Sequence, residues 1–140
     1  MAPIFEITLI GYDIDVIELL IVASNGYFSG KTELCAGRND LQKLSDQLKG
    51  FPSAPEDCRN FEFGDLDPKN RQGGIRMSFF CPHPTGQAVL NLKLKSAEGE
   101  YHKDPESSEF CIPIEAAGVD NFINQLNRIN FIIGNKAKLI

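Results

Sequence analysis

The chain has 140 residues, of which 42% are hydrophobic and 24% charged, and its net charge is −5 at neutral pH. This length and composition are typical of a soluble globular protein, and we expect a single domain over residues 1–140. The first ten residues contain Glu6 and lack the basic start of a signal peptide. The most apolar stretch, residues 16–23, contains Glu18 and is far shorter than the about 20 residues of a membrane-spanning helix. We therefore expect a cytoplasmic protein with no membrane segment.

Cysteine spacing argues against a structural metal site. The four cysteines, at positions 35, 58, 81 and 111, form no Cys-x-x-Cys pair and have no histidine at ligand spacing. A core of this size does not need disulfide bonds, so we expect free thiols. Each thiol is expected to pack first as a small hydrophobic side chain.

The N-terminal third has the pattern of an antiparallel meander. Residues 4–10 alternate between apolar and polar and predict a strand, with a turn at residues 11–13. Asn25-Gly26 predicts a two-residue hairpin with a type I′ turn. In that register Ile21 faces Gly30 on a core face, and Glu18 faces Glu33 on a face exposed to solvent or to a partner.

The central region predicts a helix and a second hairpin. Asn39 and Gln42 have capping-box spacing, leucines recur with helical period, and Gly50 stands at a C-cap position, which predicts a helix over residues 40–49. Residues 51–74 are predicted to be mostly loop, with one short edge strand around Glu62. Residues 75–81 and 88–95 alternate and predict a hairpin.

The C-terminal region predicts one strand and one helix. Residues 109–114 alternate, and Pro113 favours an edge or strand end because it cannot donate to a ladder. Apolar residues with helical spacing from Val119 predict a closing helix that continues toward Ile129. Residues 131–133 fit either a short strand or a docked coil. Together the elements predict an α+β fold with an antiparallel sheet of about six to seven strands and two helices packed on it.

Motifs of catalysis are absent from the sequence. It contains no phosphate-binding loop, dinucleotide fingerprint, nucleophile elbow or zinc-protease motif. Its two histidines, His83 and His102, lie in predicted loops, and Cys81 beside His83 is interpreted as a buried thiol next to an exposed imidazole. We predict no catalytic residue, no cofactor and no metal site. The loop carboxylates that fit turn and cap roles instead are Asp13, Asp15, Glu56 and Asp57.

Negative charge is concentrated in one stretch. Residues 98–120 contain seven acids and one lysine, a net charge of −6, whereas the rest of the chain carries +1. No strand or helix has a basic stripe interleaved with aromatic residues, so we do not expect nucleic-acid binding. The acidic segment, residues 98–109, is either solvated surface or a face that steers a basic protein partner. Its candidate partner-binding residues are Glu98, Glu100, Asp104, Glu106 and Glu109.

Short motifs in a particular order resemble the WapI-type immunity family. They are Ser24-Asn25-Gly26-Tyr27-Phe28-Ser29-Gly30, Gly50-Phe51-Pro52, Phe80-Cys81 and Ile112-Pro113-Ile114-Glu115. The resemblance spans most of the chain and implies a cytoplasmic antitoxin that binds and neutralises the toxin domain of a contact-dependent competition system. It implies no catalytic residues. The chain departs from the pattern at Gly86-Gln87, where a glycine–histidine pair is expected.

Three functional hypotheses follow. The leading one is a non-enzymatic, immunity-type inhibitor whose acidic segment meets a basic toxin surface. The second is a small-ligand-binding or enzymatic domain with a pocket between sheet and helices, with polar groups from Tyr12, Tyr101, His102 or Cys58. The third is a structural or oligomer-forming subunit that associates through Leu20, Val22 and Tyr27.

Overall fold

The computed structural model describes residues 2–84, 87–98 and 104–140. These residues form eight strands and two helices, which confirms the predicted α+β class. In chain order the elements are β1 (Ile4–Tyr12), β2 (Val16–Ser24), β3 (Ser29–Gly37), α1 (Asp40–Leu48), β4 (Cys58–Gly64), β5 (Gly74–Phe80), β6 (Ala88–Lys95), β7 (Ser107–Ile114), α2 (Ala116–Leu126) and β8 (Lys136–Lys138).

The strands form two antiparallel sheets of four, so the predicted single sheet of six to seven strands is wrong. Sheet A has the order β3-β2-β1-β8, and sheet B has the order β4-β5-β6-β7. Helix α1 and a loop connect β3 to β4. Because this connection is not a short hairpin, it does not hold the two strands side by side in one sheet. The last strand, β8, returns across most of the sequence to pair with β1.

One core lies between the two sheets and the two helices. Strand β3 contacts sheet B, α1 packs on β4, α2 packs on β8, and the helices contact each other. The sheets approach so closely at Gly30 that an added Cβ would lie 2.7 Å from the Leu94 side chain, which explains the glycine. Phe5 and Phe122 meet edge to face at 5.9 Å between ring centroids, joining β1 to α2.

The turn between β2 and β3 has four residues, 25–28, so the predicted two-residue hairpin is wrong. The Asn25 side-chain oxygen accepts hydrogen bonds from the backbone N–H groups of Tyr27 (2.9 Å) and Phe28 (2.8 Å). This Asx-type turn needs positive φ only at Gly26, and it moves the register by two residues. Ile21 therefore faces Thr32, and the predicted core face is kept because side chains alternate with period two.

Both predicted helices are confirmed, with changes at their ends. Helix α1 begins at Asp40 as predicted, and Gly50 beyond it has a φ of +78°, as a C-cap glycine requires. The predicted capping box is wrong, because Asn39 makes no side-chain cap and Asp40 instead accepts a hydrogen bond from the Gly37 N–H at 2.8 Å. Helix α2 ends at Leu126 and does not continue to Ile129.

Strands β5, β6 and β7 match the predicted hairpin and edge strand closely. Their predicted apolar faces are buried, and Pro113 lies on the edge strand β7. Residues 131–133 are neither a strand nor a docked coil but an exposed turn. Positive φ at Asn130 (48°) and Phe131 (56°) turns the chain here, and the last strand begins only at Lys136.

Candidate protein interface

The acidic segment connects β6 to β7 and includes the first half of β7. Glu98, Asp104, Glu106 and Glu109 are exposed there, and Glu100 lies outside the described residues. Glu98 forms an ion pair with Arg71, and Glu109 forms one with Arg76, each at 2.8 Å. These arginines come from the β4–β5 connection and from β5, so counting charge along the chain missed them. The segment is less negative in the folded protein than its sequence suggests.

Hydrogen bonds hold the described base of the acidic segment in place. The Ser96 N–H donates to the Glu106 carbonyl at 2.8 Å, and the Glu106 N–H donates to the Ser96 hydroxyl at 2.9 Å. Lys95 alternates with the core-facing leucines of β6, yet it is buried. Its ammonium donates to the carbonyls of Asp67 (2.7 Å) and Asn70 (3.0 Å). Lys95 therefore ties the start of the segment to the β4–β5 connection.

A groove of about 300 Å³ lies beside this base and is named here the carboxylate groove. One wall is the outer face of sheet A, with Glu18, Glu33 and Cys35, and the other carries Arg71 and Ala97. In the described residues, neither glutamate carboxylate has a cation or a hydrogen-bond donor within bonding distance. The groove therefore presents two carboxylates without an ion pair beside the acidic segment, while Arg71 of the opposite wall is bound to Glu98.

The predicted pairing of Glu18 with Glu33 is wrong, although the predicted face is right. The shifted register places Cys35 opposite Glu18 and Leu20 opposite Glu33. The two carboxylates are therefore diagonal neighbours, which lowers their repulsion relative to direct opposition. Partial desolvation raises the pKa of the exposed Cys35 thiol, and the charges of Glu18 and Asp13 raise it further, which lowers its thiolate fraction.

Exposed apolar side chains gather at the two ends of sheet A. At one end the Asn25 turn displays Tyr27 (90% exposed) and Phe28 (68% exposed), while Leu20 and Val22 of the same hairpin are half-buried. At the other end the exposed side chains surround the β1–β2 turn and the turn after α2. They are Tyr12, Ile14, Phe131, Ile132 and Ile133.

This second end also contains a small pocket that the sequence analysis missed. Its volume is about 90 Å³, and Arg38 lies at its rim, so it is named here the Arg38 pocket. The Arg38 guanidinium carbon lies 4.3 Å from the Phe131 ring centroid and 5.9 Å from that of Tyr12. The apolar run at 131–133 was the sequence signal for this site, but its periodicity did not show that the side chains are exposed.

The polar residues suggested for a small-ligand site are not brought together where they are described. Tyr12 ends β1 in sheet A, whereas Cys58 begins β4 on the edge of sheet B. Tyr101 and His102 lie outside the described residues. His83 is exposed, as predicted, whereas Cys81, predicted to be buried, is only half-buried against the core.

The cysteines are free thiols, as predicted. The expectation that each packs as a small hydrophobic side chain is wrong for Cys35, Cys58 and Cys111, which are exposed on the outer faces of the sheets because their strand positions point away from the core. Within the described ranges no cluster of histidine, cysteine, aspartate and glutamate has the form of a metal site.

Two loop aspartates have the turn roles predicted for them. Asp13 accepts hydrogen bonds from the N–H groups of Asp15 (2.7 Å) and Val16 (2.8 Å), and these bonds are the main cause of its lowered pKa. Asp57 binds Arg59 and the Ser53 N–H, and the hydrogen bonds from Arg59 are the largest cause of a pKa lowered to about 2.

Neither described helix has the length and apolar character needed to cross a bilayer. Comparison of the chain with models of protein families, with curated proteins and with solved structures found no match.

Proposed function

We propose that this protein acts by binding, as an immunity-type inhibitor that covers the basic surface of a toxin domain in the cytoplasm. The observation that carries the proposal is the carboxylate groove. Glu18 and Glu33 line it without an ion pair among the described residues, next to the acidic segment. Such an inhibitor needs surface complementarity and no catalytic residue.

The two acidic features have different roles in this proposal. Glu98 and Glu109 already have arginine partners, so a partner's cation gains less from them than from an unpaired carboxylate. Their exposed charges still contribute to the long-range field that accelerates encounter. The groove carboxylates have no ion pair to give up, so a lysine or arginine that enters the groove forms charge-assisted hydrogen bonds directly. In this proposal the acidic segment accelerates the encounter with the partner, and the groove carboxylates bind the partner's cations in the complex.

The motifs that resemble the WapI-type immunity family lie at boundaries of elements. The Asn25 turn joins β2 to β3, Gly50 follows α1, and Pro113 is next to the last residue of β7. Backbone geometry alone favours such residues at these places. The proposed function therefore depends on the charge distribution more than on these motifs.

The test is a binding measurement against the product of a neighbouring toxin-like gene, first by pull-down and then by surface-based kinetics. Neutralising Glu98, Glu100, Asp104 and Glu106 together with Gln or Asn should slow association about tenfold or more at low salt, and raising the salt should shrink this difference. The matched control makes the same charge change elsewhere. It replaces Asp15, Asp46, Glu56 and Glu62.

A second variant tests the groove. Replacing Glu18 and Glu33 with Gln should mainly speed dissociation, because it removes short-range partners. Unchanged affinity in both the segment variant and the groove variant eliminates this interface.

A further inference from the structure

The Arg38 pocket lies where the ends of β1 and β2, helix α1 and the turn after α2 meet. Its lining contains four buried apolar side chains, those of Leu9, Ile17, Leu41 and Leu126, together with the polar residues Gln42, Asn127 and Asn130. A volume of about 90 Å³ corresponds to roughly three water molecules at about 30 Å³ each. The pocket therefore has room for one aliphatic side chain and is too small for a drug-sized ligand.

Among the described residues Arg38 forms no ion pair, which distinguishes it from three other arginines. Arg59, Arg71 and Arg76 each bind a carboxylate at 2.8 Å. In the part of the chain that the structure describes, Arg38 binds no carboxylate and donates only to the Asp13 carbonyl. A guanidinium has five N–H donors, so Arg38 keeps donors for a ligand.

The surrounding turn holds this guanidinium in a defined place. Phe131 has a left-handed backbone (φ 56°), which is uncommon for an aromatic residue, and its ring stacks on Arg38. The turn is closed by a hydrogen bond from the Ile132 N–H to the Ile129 carbonyl at 3.0 Å. The charge is therefore presented beside a partly apolar cavity by a preorganised backbone.

We infer that the Arg38 pocket binds the C-terminal residue of a polypeptide that ends in an aliphatic side chain. The side chain contacts the apolar part of the lining, and the terminal carboxylate accepts hydrogen bonds from Arg38. In an extended segment neighbouring side chains point to opposite faces, so an internal aliphatic residue and the next acidic residue do not enter one small pocket together. A C-terminal residue carries both groups on one Cα.

The apolar surface around the mouth indicates a polypeptide and not a free carboxylic acid. Ile14, in the β1–β2 turn, is 86% exposed, and Ile132, next to the pocket residue Phe131, is 55% exposed. The site goes beyond the proposed inhibitor function. Its charge has the opposite sign to that of the carboxylate groove, and it requires a different ligand chemistry.

The test is a titration of the ¹⁵N-labelled full chain, followed by NMR, with N-acetyl-leucine and with N-acetyl-leucinamide, which lacks only the carboxylate. The acid should shift the backbone amides of Arg38, Asn130 and Phe131 saturably and bind about tenfold more tightly than the amide. Equal affinity of acid and amide overturns the inference, as does the absence of localised shifts. This comparison uses the wild-type protein, so it does not depend on the folding of a variant.

Two further titrations locate the binding site and identify the class of ligand. Arg38→Gln should reduce the affinity for N-acetyl-leucine to that for the amide. The matched control Arg71→Gln should leave the affinity for N-acetyl-leucine unchanged. If Arg71→Gln loses this affinity and Arg38→Gln keeps it, the proposed site is wrong. The tripeptide acetyl-Val-Val-Leu with a free C-terminus should bind more tightly than N-acetyl-leucine. If it binds no more tightly, the polypeptide assignment is wrong.

Discussion

The carboxylate groove and the Arg38 pocket belong to the same sheet but carry unpaired charges of opposite sign. Among the described residues, Glu18 and Glu33 of the groove form no ion pair, although Arg71 lies on the opposite wall. Arg38 of the pocket forms none either, although its charge helps to lower the pKa of Asp13. Arg59, by contrast, binds the carboxylate of Asp57. A charge held on an ordered element without an internal partner is available to an external one, so this difference separates candidate binding residues from structural ones.

The largest effect that we expect is a difference in stability between variants of two arginines, Arg59 and Arg38. Arg59 donates to Asp57 and to the carbonyls of Gln47 (2.9 Å) and Lys49 (2.7 Å), so Arg59→Met should lower the free energy of unfolding by about 3 kcal/mol. Arg38→Met loses one backbone hydrogen bond and the contacts with the rings of Phe131 and Tyr12, and it should lower this free energy by about 1 kcal/mol. Urea unfolding measures both. Similar losses would show that Arg38 is structural and would break the comparison.

A second effect concerns the base of the acidic segment. Lys95→Met keeps an apolar stem but leaves the carbonyls of Asp67 and Asn70 without their buried donor, so we expect a loss of about 2 kcal/mol. The control is Lys93→Met on the same strand, which should change stability by less than about 0.5 kcal/mol. Thermal unfolding that ranks the two variants equally would contradict the anchoring role of Lys95.

The third effect is the pH dependence of stability that comes from the ion pair between Asp57 and Arg59. The pKa of Asp57 is about 2 in the folded protein, below its ordinary 3.8. Its ionised form therefore contributes stability above pH 3.8, and this contribution is lost as the pH falls toward 2. Allowing for solvent screening, we expect about 1 kcal/mol. Unfolding of Asp57→Asn should lack this part of the acid dependence, whereas Asp46→Asn should retain it.

The smallest effect is a change in the reactivity of Cys35 that reports on the electrostatic field in the carboxylate groove. Burial is the main cause of the raised Cys35 pKa, and Glu18 adds to it, so Glu18→Gln should lower that pKa. The rate of Cys35 alkylation by iodoacetamide at pH 8 should then rise about two- to threefold because more thiolate is present. Mass spectrometry can follow Cys111 in the same sample as an internal reference. A rate at Cys35 that does not change relative to Cys111 would argue against an electronegative groove.

Sequence patterns predicted the parts of the fold that depend on local periodicity. Leu90, Leu92 and Leu94 are buried as their alternation indicated, and α1 begins at the predicted residue. The face that carries Glu18 and Glu33 was also predicted correctly. This prediction is right although the predicted register at Asn25 is wrong, because a shift of two residues leaves every side chain on the same face.

The candidate sites were predicted less completely. The acidic segment could be read from composition, but the arginines that neutralise Glu98 and Glu109 come from other strands. The Arg38 pocket joins residues almost a hundred positions apart, since Arg38 follows β3 and Phe131 follows α2. No local pattern encodes such contacts.

The sequence by itself therefore determined the α+β class, the faces of the strands, the positions of the helices and the location of excess negative charge. These follow from side-chain period and composition, which are local properties of the chain. Only the tertiary structure decided the division into two sheets, the register at Asn25 and the identity of the unpaired charges. Each of these depends on which distant segments meet, and that is settled by packing of the whole core.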